Sequence, residues 1–91
     1  MIVETPHGEF ECQDITRRQR RDYYKKVKKV FASQDTSELH ELADEFALLA
    51  FGDEGKADKE LEGLTALQED EVLTAIIVTY MGMQEGNDIG D

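Results

Sequence analysis

Three segments of the chain repeat their apolar residues at spacings of three and four, which places those residues on one side of an α-helix. The three stripes consist of Tyr23, Val27, Val30 and Phe31; of Leu39, Leu42, Ala43, Phe46, Leu49 and Ala50; and of Val72, Leu73, Ile76, Ile77, Tyr80 and Met81. They predict helices over about 15–33, 37–51 and 68–81.

Residues that favour helix ends lie at the edges of these segments. Asp14 or Thr16 can cap the first helix, and Asp35 opens a group of capping residues before the second. Gly52 follows the second helix, where a residue with positive φ is favoured. For the third helix, Gln68 is the predicted cap, and the apolar residues on either side of it form a hydrophobic staple.

The first twelve residues have a different pattern. A short apolar run precedes Thr5-Pro6-His7-Gly8, and acidic and apolar residues then alternate up to Cys12. Alternation with a period of two is typical of a half-buried strand, and Pro and Gly favour a turn. This pattern predicts a β-hairpin over residues 1–13.

A chain of 91 residues with 40% hydrophobic content has room for one core, which we place in residues 1–82. The predicted fold class is mainly α: a short N-terminal β-hairpin is followed by a small three-helix domain. A four-helix domain is the alternative if the polar loop 52–63 contains a turn of helix. The acidic segment 83–91 is predicted to be a flexible tail.

Charge is distributed unevenly along this acidic chain. The net charge is −11, yet eight of its ten basic residues and one acid fall between Arg17 and Lys29. The first sixteen residues contribute −4, and residues 35–91 contribute −14. A helix over 15–33 therefore has an apolar side and a basic side.

Two groups of residues are candidates for contact with a protein partner. The basic side of the first helix provides Arg18, Arg21, Lys25, Lys28 and Lys29, and the apolar end of the second helix provides Leu48 and Phe51. The basic side has three interpretations: a solvated face partly neutralised by acidic segments of the same or a neighbouring subunit, a surface for an acidic protein, or a nucleic-acid surface. The overall negative charge makes nucleic acid the least favoured of the three. The apolar helix end is either buried or an exposed patch.

The sequence contains none of the common motifs of catalysis, phosphate binding or metal binding. His7 and His40 are interpreted as ordinary polar residues, and the single cysteine, Cys12, lacks neighbours for a zinc site. We therefore expect no enzymatic activity, no cofactor and no metal. The chain also has no apolar stretch of membrane-spanning length and no signal-peptide pattern, so we expect it in the cytoplasm.

Two segments carry a resemblance to a known family. The opening segment places a short strand pair before Asp14-Ile15-Thr16-Arg17-Arg18-Gln19-Arg20-Arg21, and the closing helix follows Leu64-Thr65-Ala66-Leu67-Gln68-Glu69-Asp70-Glu71-Val72. In this arrangement the chain resembles the tail assembly chaperones of long-tailed bacteriophages over most of residues 1–82. The resemblance implies a non-enzymatic protein that binds the tape-measure protein and tail-tube subunits during assembly. It transfers no client-binding residue.

Two other functions remain open from the sequence. An acidic inhibitor of the anti-CRISPR or DNA-mimicking type would place the carboxylates of the second and third helices in a basic nucleic-acid channel. A structural subunit of a ring or virion would instead bind its basic helix to the acidic surface of the next copy. The three readings predict different partners: an aggregation-prone helical client, a nucleic-acid enzyme, or a second copy of the chain.

Overall fold

The computed structural model describes residues 1–82 as a β-hairpin followed by four helices. The elements are β1 (Ile2–Thr5), β2 (Gly8–Glu11), α1 (Arg17–Ser33), α2 (Thr36–Phe51), α3 (Glu54–Glu60) and α4 (Ala66–Met81). The predicted fold class is confirmed, and the four-helix alternative is the one that forms. The predicted tail 83–91 lies outside the described residues.

The hairpin is a two-stranded antiparallel sheet in which Val3 pairs with Phe10 and Thr5 pairs with Gly8. The hydroxyl of Thr5 donates a hydrogen bond to the carbonyl oxygen of Gly8 (2.8 Å) and accepts one from the amide of His7 (3.1 Å). This tight turn sets the register that places Val3, which is fully buried, on the inner face of the sheet.

Side-chain caps determine where the helices begin. Thr16 and Thr65 each form a reciprocal capping box, with Gln19 and Gln68 respectively, and Asp35 accepts hydrogen bonds from two amides at the start of α2. The prediction that Gln68 caps the last helix is wrong, because Thr65 is the cap and Gln68 is the third helical residue. The predicted staple fails with it, since Leu67 is 71% exposed.

The segment predicted as a polar loop, 52–63, contains α3. Asp53 caps this helix by accepting a hydrogen bond from the amide of Lys56 at 2.8 Å. Ala57 of α3 and Leu61, just after the helix, are spaced four residues apart and are buried, so this segment covers the core through two apolar residues. The apolar signal in this segment is too short to distinguish a helix from a loop by periodicity.

The core lies between α1, α2, α4 and the inner face of the hairpin. All six residues of the predicted stripe on α4 are buried, as are Val27 and Val30 of α1 and four of the six on α2. The other two residues of the α2 stripe are Leu49, which is half-buried, and Leu39 at the start of the helix, with 36% of its surface exposed. Within residues 1–82, no helix is both long enough and apolar enough to cross a membrane.

Two polar contacts join α4 to the start of the chain. The phenol of Tyr80 donates a hydrogen bond to the carbonyl oxygen of Gln13. The guanidinium of Arg20 donates one to the carbonyl oxygen of Met81 at 3.2 Å, which places a positive charge at the C-terminal end of α4. Because Arg20 lies near the start of α1, the contact joins the start of α1 to the end of α4.

Candidate functional site

The candidate site is the outer side of α1, which we call the basic face: Arg18, Arg21, Lys25, Lys28 and Lys29. All five side chains are exposed. Along α1, successive spacings of three, four and four separate Arg18, Arg21, Lys25 and Lys29. At a rise of 1.5 Å per residue, these four residues form a line about 16 Å long. The basic side predicted from the sequence therefore forms one continuous surface.

Contacts on the inner side and flanks of α1 turn the basic face outward. The ring of Tyr23 meets the ring of Phe46 edge to face, with 5.2 Å between the centroids. On the flank towards α2, the ammonium of Lys26 lies 2.5 Å from a carboxylate oxygen of Glu45. These contacts orient α1 about its axis, and the side opposite Tyr23 points into solvent.

Lys26 differs from the other lysines of α1 because Glu45 neutralises it. The hydrogen bond and the charge of that carboxylate raise the pKa of the Lys26 ammonium. Within residues 1–82, none of the five side chains of the basic face lies within 4.0 Å of a carboxylate. The described part of the chain therefore forms no direct ion pair with this face. On α1, the partial neutralisation by acids of the same chain that the sequence allowed takes the form of the Lys26 to Glu45 pair.

The two apolar candidates at the end of α2 have different environments. Leu48 is 43% exposed, whereas Phe51 is 6% exposed and packs edge to face against Phe10 at 6.3 Å. The amide of Gln13 also donates a hydrogen bond to the carbonyl oxygen of Ala50 at 2.8 Å, which holds the hairpin against this helix end. Of the two alternatives for this helix end, burial holds for Phe51, which belongs to the core, and exposure holds for Leu48. The exposed patch of both residues does not form.

A second charged surface lies on the solvent side of α2. Glu41 and Asp44 are exposed, and Leu48 follows them at a spacing of four. Neither carboxylate forms an ion pair within the described residues. The sequence predicted Leu48 as a protein-binding residue but did not group it with Glu41 and Asp44. Their spacing of three and four is the signal that places all three residues on one side of the helix.

The cysteine and the histidine of the hairpin lie in separate environments within residues 1–82. Cys12 is 2% exposed, and burial raises the pKa of its thiol to about 11, so at neutral pH it is protonated and a poor nucleophile. It borders an open cleft of about 310 Å³. His7, in the hairpin turn, lies with its Nε2 2.8 Å from a carboxylate oxygen of Glu71 on α4. No group of three potential metal ligands is found in the described part of the chain.

Comparison with known proteins adds no family to this description. No protein-family model matches the chain, and no curated protein or solved structure shows significant similarity to it.

Proposed function

We propose that this chain is a non-enzymatic protein-binding factor of the cytoplasm, and that the basic face of α1 binds an acidic surface on its partner. The observation that carries the proposal is the set of five exposed cationic side chains without an ion-pair partner in residues 1–82. Apart from α1, these residues have a net charge of −15, so the basic face is a local exception on an acidic protein. Such a face attracts a complementary surface and orients it.

A protein partner fits this charge distribution better than a nucleic acid does. Duplex DNA carries one negative charge about every 1.7 Å along its axis, and it extends well beyond the length of α1. It would lie close to the acidic surfaces that flank the helix, where repulsion opposes binding. An acidic patch on a protein can match the basic face and end where the acidic surfaces begin.

The resemblance to tail assembly chaperones specifies the type of partner in this proposal. The client would be a tape-measure protein with its tail-tube subunits, held during assembly and then released. A contact between exposed charges suits temporary binding, because each exposed ion pair contributes only up to about 1 kcal/mol. Leu48 adds one exposed apolar side chain at a different surface, while Phe51 is buried and is excluded from the contact.

Affinity capture from the native lysate at low and high salt, followed by mass spectrometry, tests this function. The wild-type chain should recover a long helical protein and tube subunits at low salt. A variant with Lys25→Gln, Lys28→Gln and Lys29→Gln should lose them while its circular dichroism spectrum is unchanged. The matched control, Lys56→Gln with Lys59→Gln, removes charge from α3 and should retain them. Equal recovery by all three proteins would contradict the role of the basic face.

An acidic inhibitor of a nucleic-acid enzyme is the second candidate, favoured by the exposed carboxylates of Glu41 and Asp44. In that case the captured protein would be a nuclease or a polymerase. Binding would be lost on Glu41→Gln with Asp44→Gln and kept on neutralising the basic face. The two sets of substitutions therefore distinguish the two functions.

A further inference from the structure

Two exposed surfaces of opposite charge lie on neighbouring helices of this chain. One is the basic face of α1. The other, which we call the acidic stripe, consists of Glu41, Asp44 and Leu48 on the solvent side of α2. The stripe extends over about 10 Å at 1.5 Å per residue, which is within the length of the basic face.

Within one molecule, the two surfaces form no ion pair with each other. The contact between α1 and α2 is made by Tyr23 with Phe46 and by Lys26 with Glu45. Lys25 precedes Lys26 by one residue, so its side chain leaves the helix about 100° away from that contact. In the same way Asp44 is turned about 100° away from Glu45. Glu41 lies one turn before Glu45, and its charge contributes to the raised pKa of Lys26, but its side chain is exposed. Both charged surfaces are therefore exposed to another molecule.

We propose that the basic face of one copy binds the acidic stripe of a second copy. The proposal rests on the proposed function, because it names the occupant of the same face when no client is bound. The ion pair of Lys26 with Glu45 is an internal example of the contact, since it joins a lysine of α1 to an acid of α2. The lysine stems of one copy pack on Leu48 of the next, while their ammonium groups reach the two carboxylates.

Charge complementarity at short range favours a second copy in spite of the net charge of −11. At physiological ionic strength, repulsion between net charges is screened beyond about 8 Å, whereas ion pairs at contact are screened much less. The two surfaces differ, so the contact is head-to-tail. Each added copy presents a further basic face and a further stripe, which leads to a ring or an open chain.

Paired charge reversals with light scattering test the contact between the two surfaces. The first variant carries Lys25→Glu and Lys29→Glu, and the second carries Glu41→Lys and Asp44→Lys. At low salt the wild type should scatter above the 10.3 kDa of one chain and approach that mass at high salt. Each variant alone should stay at the mass of one chain. An equimolar mixture of the two should recover the larger mass, because each basic surface again meets an acidic one.

Two matched controls separate the contact from the change in net charge. Lys56→Glu with Lys59→Glu has the same charge as the first variant, and Glu4→Lys with Glu9→Lys has the same charge as the second. Both controls should associate like the wild type. Failure of the mixture to associate would overturn the proposal. A wild type that stays monomeric at low salt would also overturn it, as would a wild type that binds a DNA duplex through Lys25 and Lys29.

Failure of this inference and failure of the proposed function give different results. The second variant keeps the basic face, so it should still capture the client although it no longer binds its own copies. If it captures the client and the mixture does not associate, the proposed function stands and the self-association is wrong. If the mixture associates and no variant or wild type captures a client, the self-association stands alone.

Discussion

Truncation of Phe51 and of Leu48 to alanine gives the sharpest test of which residues at the end of α2 belong to the core. The two side chains are three residues apart, and Phe51 is 6% exposed whereas Leu48 is 43% exposed. Removing a buried phenylalanine side chain costs about 3–5 kcal/mol, which includes the lost packing against Phe10. Removing Leu48, much of which already contacts water, should cost about 1 kcal/mol or less.

The larger loss is substantial for a domain of this size. A chain of this length has a free energy of unfolding of about 5–14 kcal/mol. Urea unfolding followed by circular dichroism at 222 nm measures the change. With an m-value of about 1 kcal/mol per molar, Phe51→Ala should lower the midpoint by about 3–5 M, and Leu48→Ala by about 1 M or less.

The comparison is valid only if the m-values of the two variants match that of the wild type, because a changed m-value reports a change in the exposed surface. Two midpoints within about 1 M of each other would refute the reasoning. That result would mean that the hairpin does not cover the end of α2.

Three further predictions concern single side chains. Burial raises the pKa of the Tyr80 phenol, so the unfolded chain releases a proton near pH 10 that the folded chain retains. The free energy of unfolding should therefore be unaffected by this group below pH 10 and fall above it, and Tyr80→Phe should reduce that fall in alkaline urea titrations. Because burial raises the pKa of the Cys12 thiol to about 11, little of the reactive thiolate is present at pH 8. The thiol should therefore react with a disulfide reagent at least about 100-fold more slowly in the folded chain than in the unfolded chain. Similar rates would contradict its burial. Gly82 has φ of 71°, and an added Cβ would lie 1.9 Å from the guanidinium of Arg20. Gly82→Ala should cost about 1–2 kcal/mol in urea unfolding, because positive φ is strained for alanine and the guanidinium of Arg20 must move away from the carbonyl oxygen of Met81. The cost should be smaller in an Arg20→Ala background, and an equal cost in both would show that the guanidinium moves aside without loss of stability.

Much of the fold is readable from the sequence because its signals are local. Helix periodicity sets the stripe of α4 from Val72 to Met81, and all of its residues are buried. The basic face follows from the same periodicity, since residues opposite an apolar stripe point into solvent. The alternation around Phe10 likewise predicts the hairpin.

Other features depend on short or ambiguous signals. Residues 54–60 form a helix although their only buried residue is Ala57, with Leu61 just beyond it. Thr65 caps α4 through Gln68, three residues later, and the apolar neighbours of Gln68 suggested a later start. In both cases several local patterns compete, and packing against α2 and the core decides between them.

The sequence by itself determined the periodic elements, the mainly helical class and the placement of positive charge on one side of α1. Only the tertiary structure decided that Phe51 is covered by the hairpin and that Lys26 is paired with Glu45. It also decided that the basic face lacks an ion-pair partner in residues 1–82. The physical reason is that periodicity depends on residues three or four apart. Burial and ion pairing depend on residues far apart in the chain, which only the fold brings together.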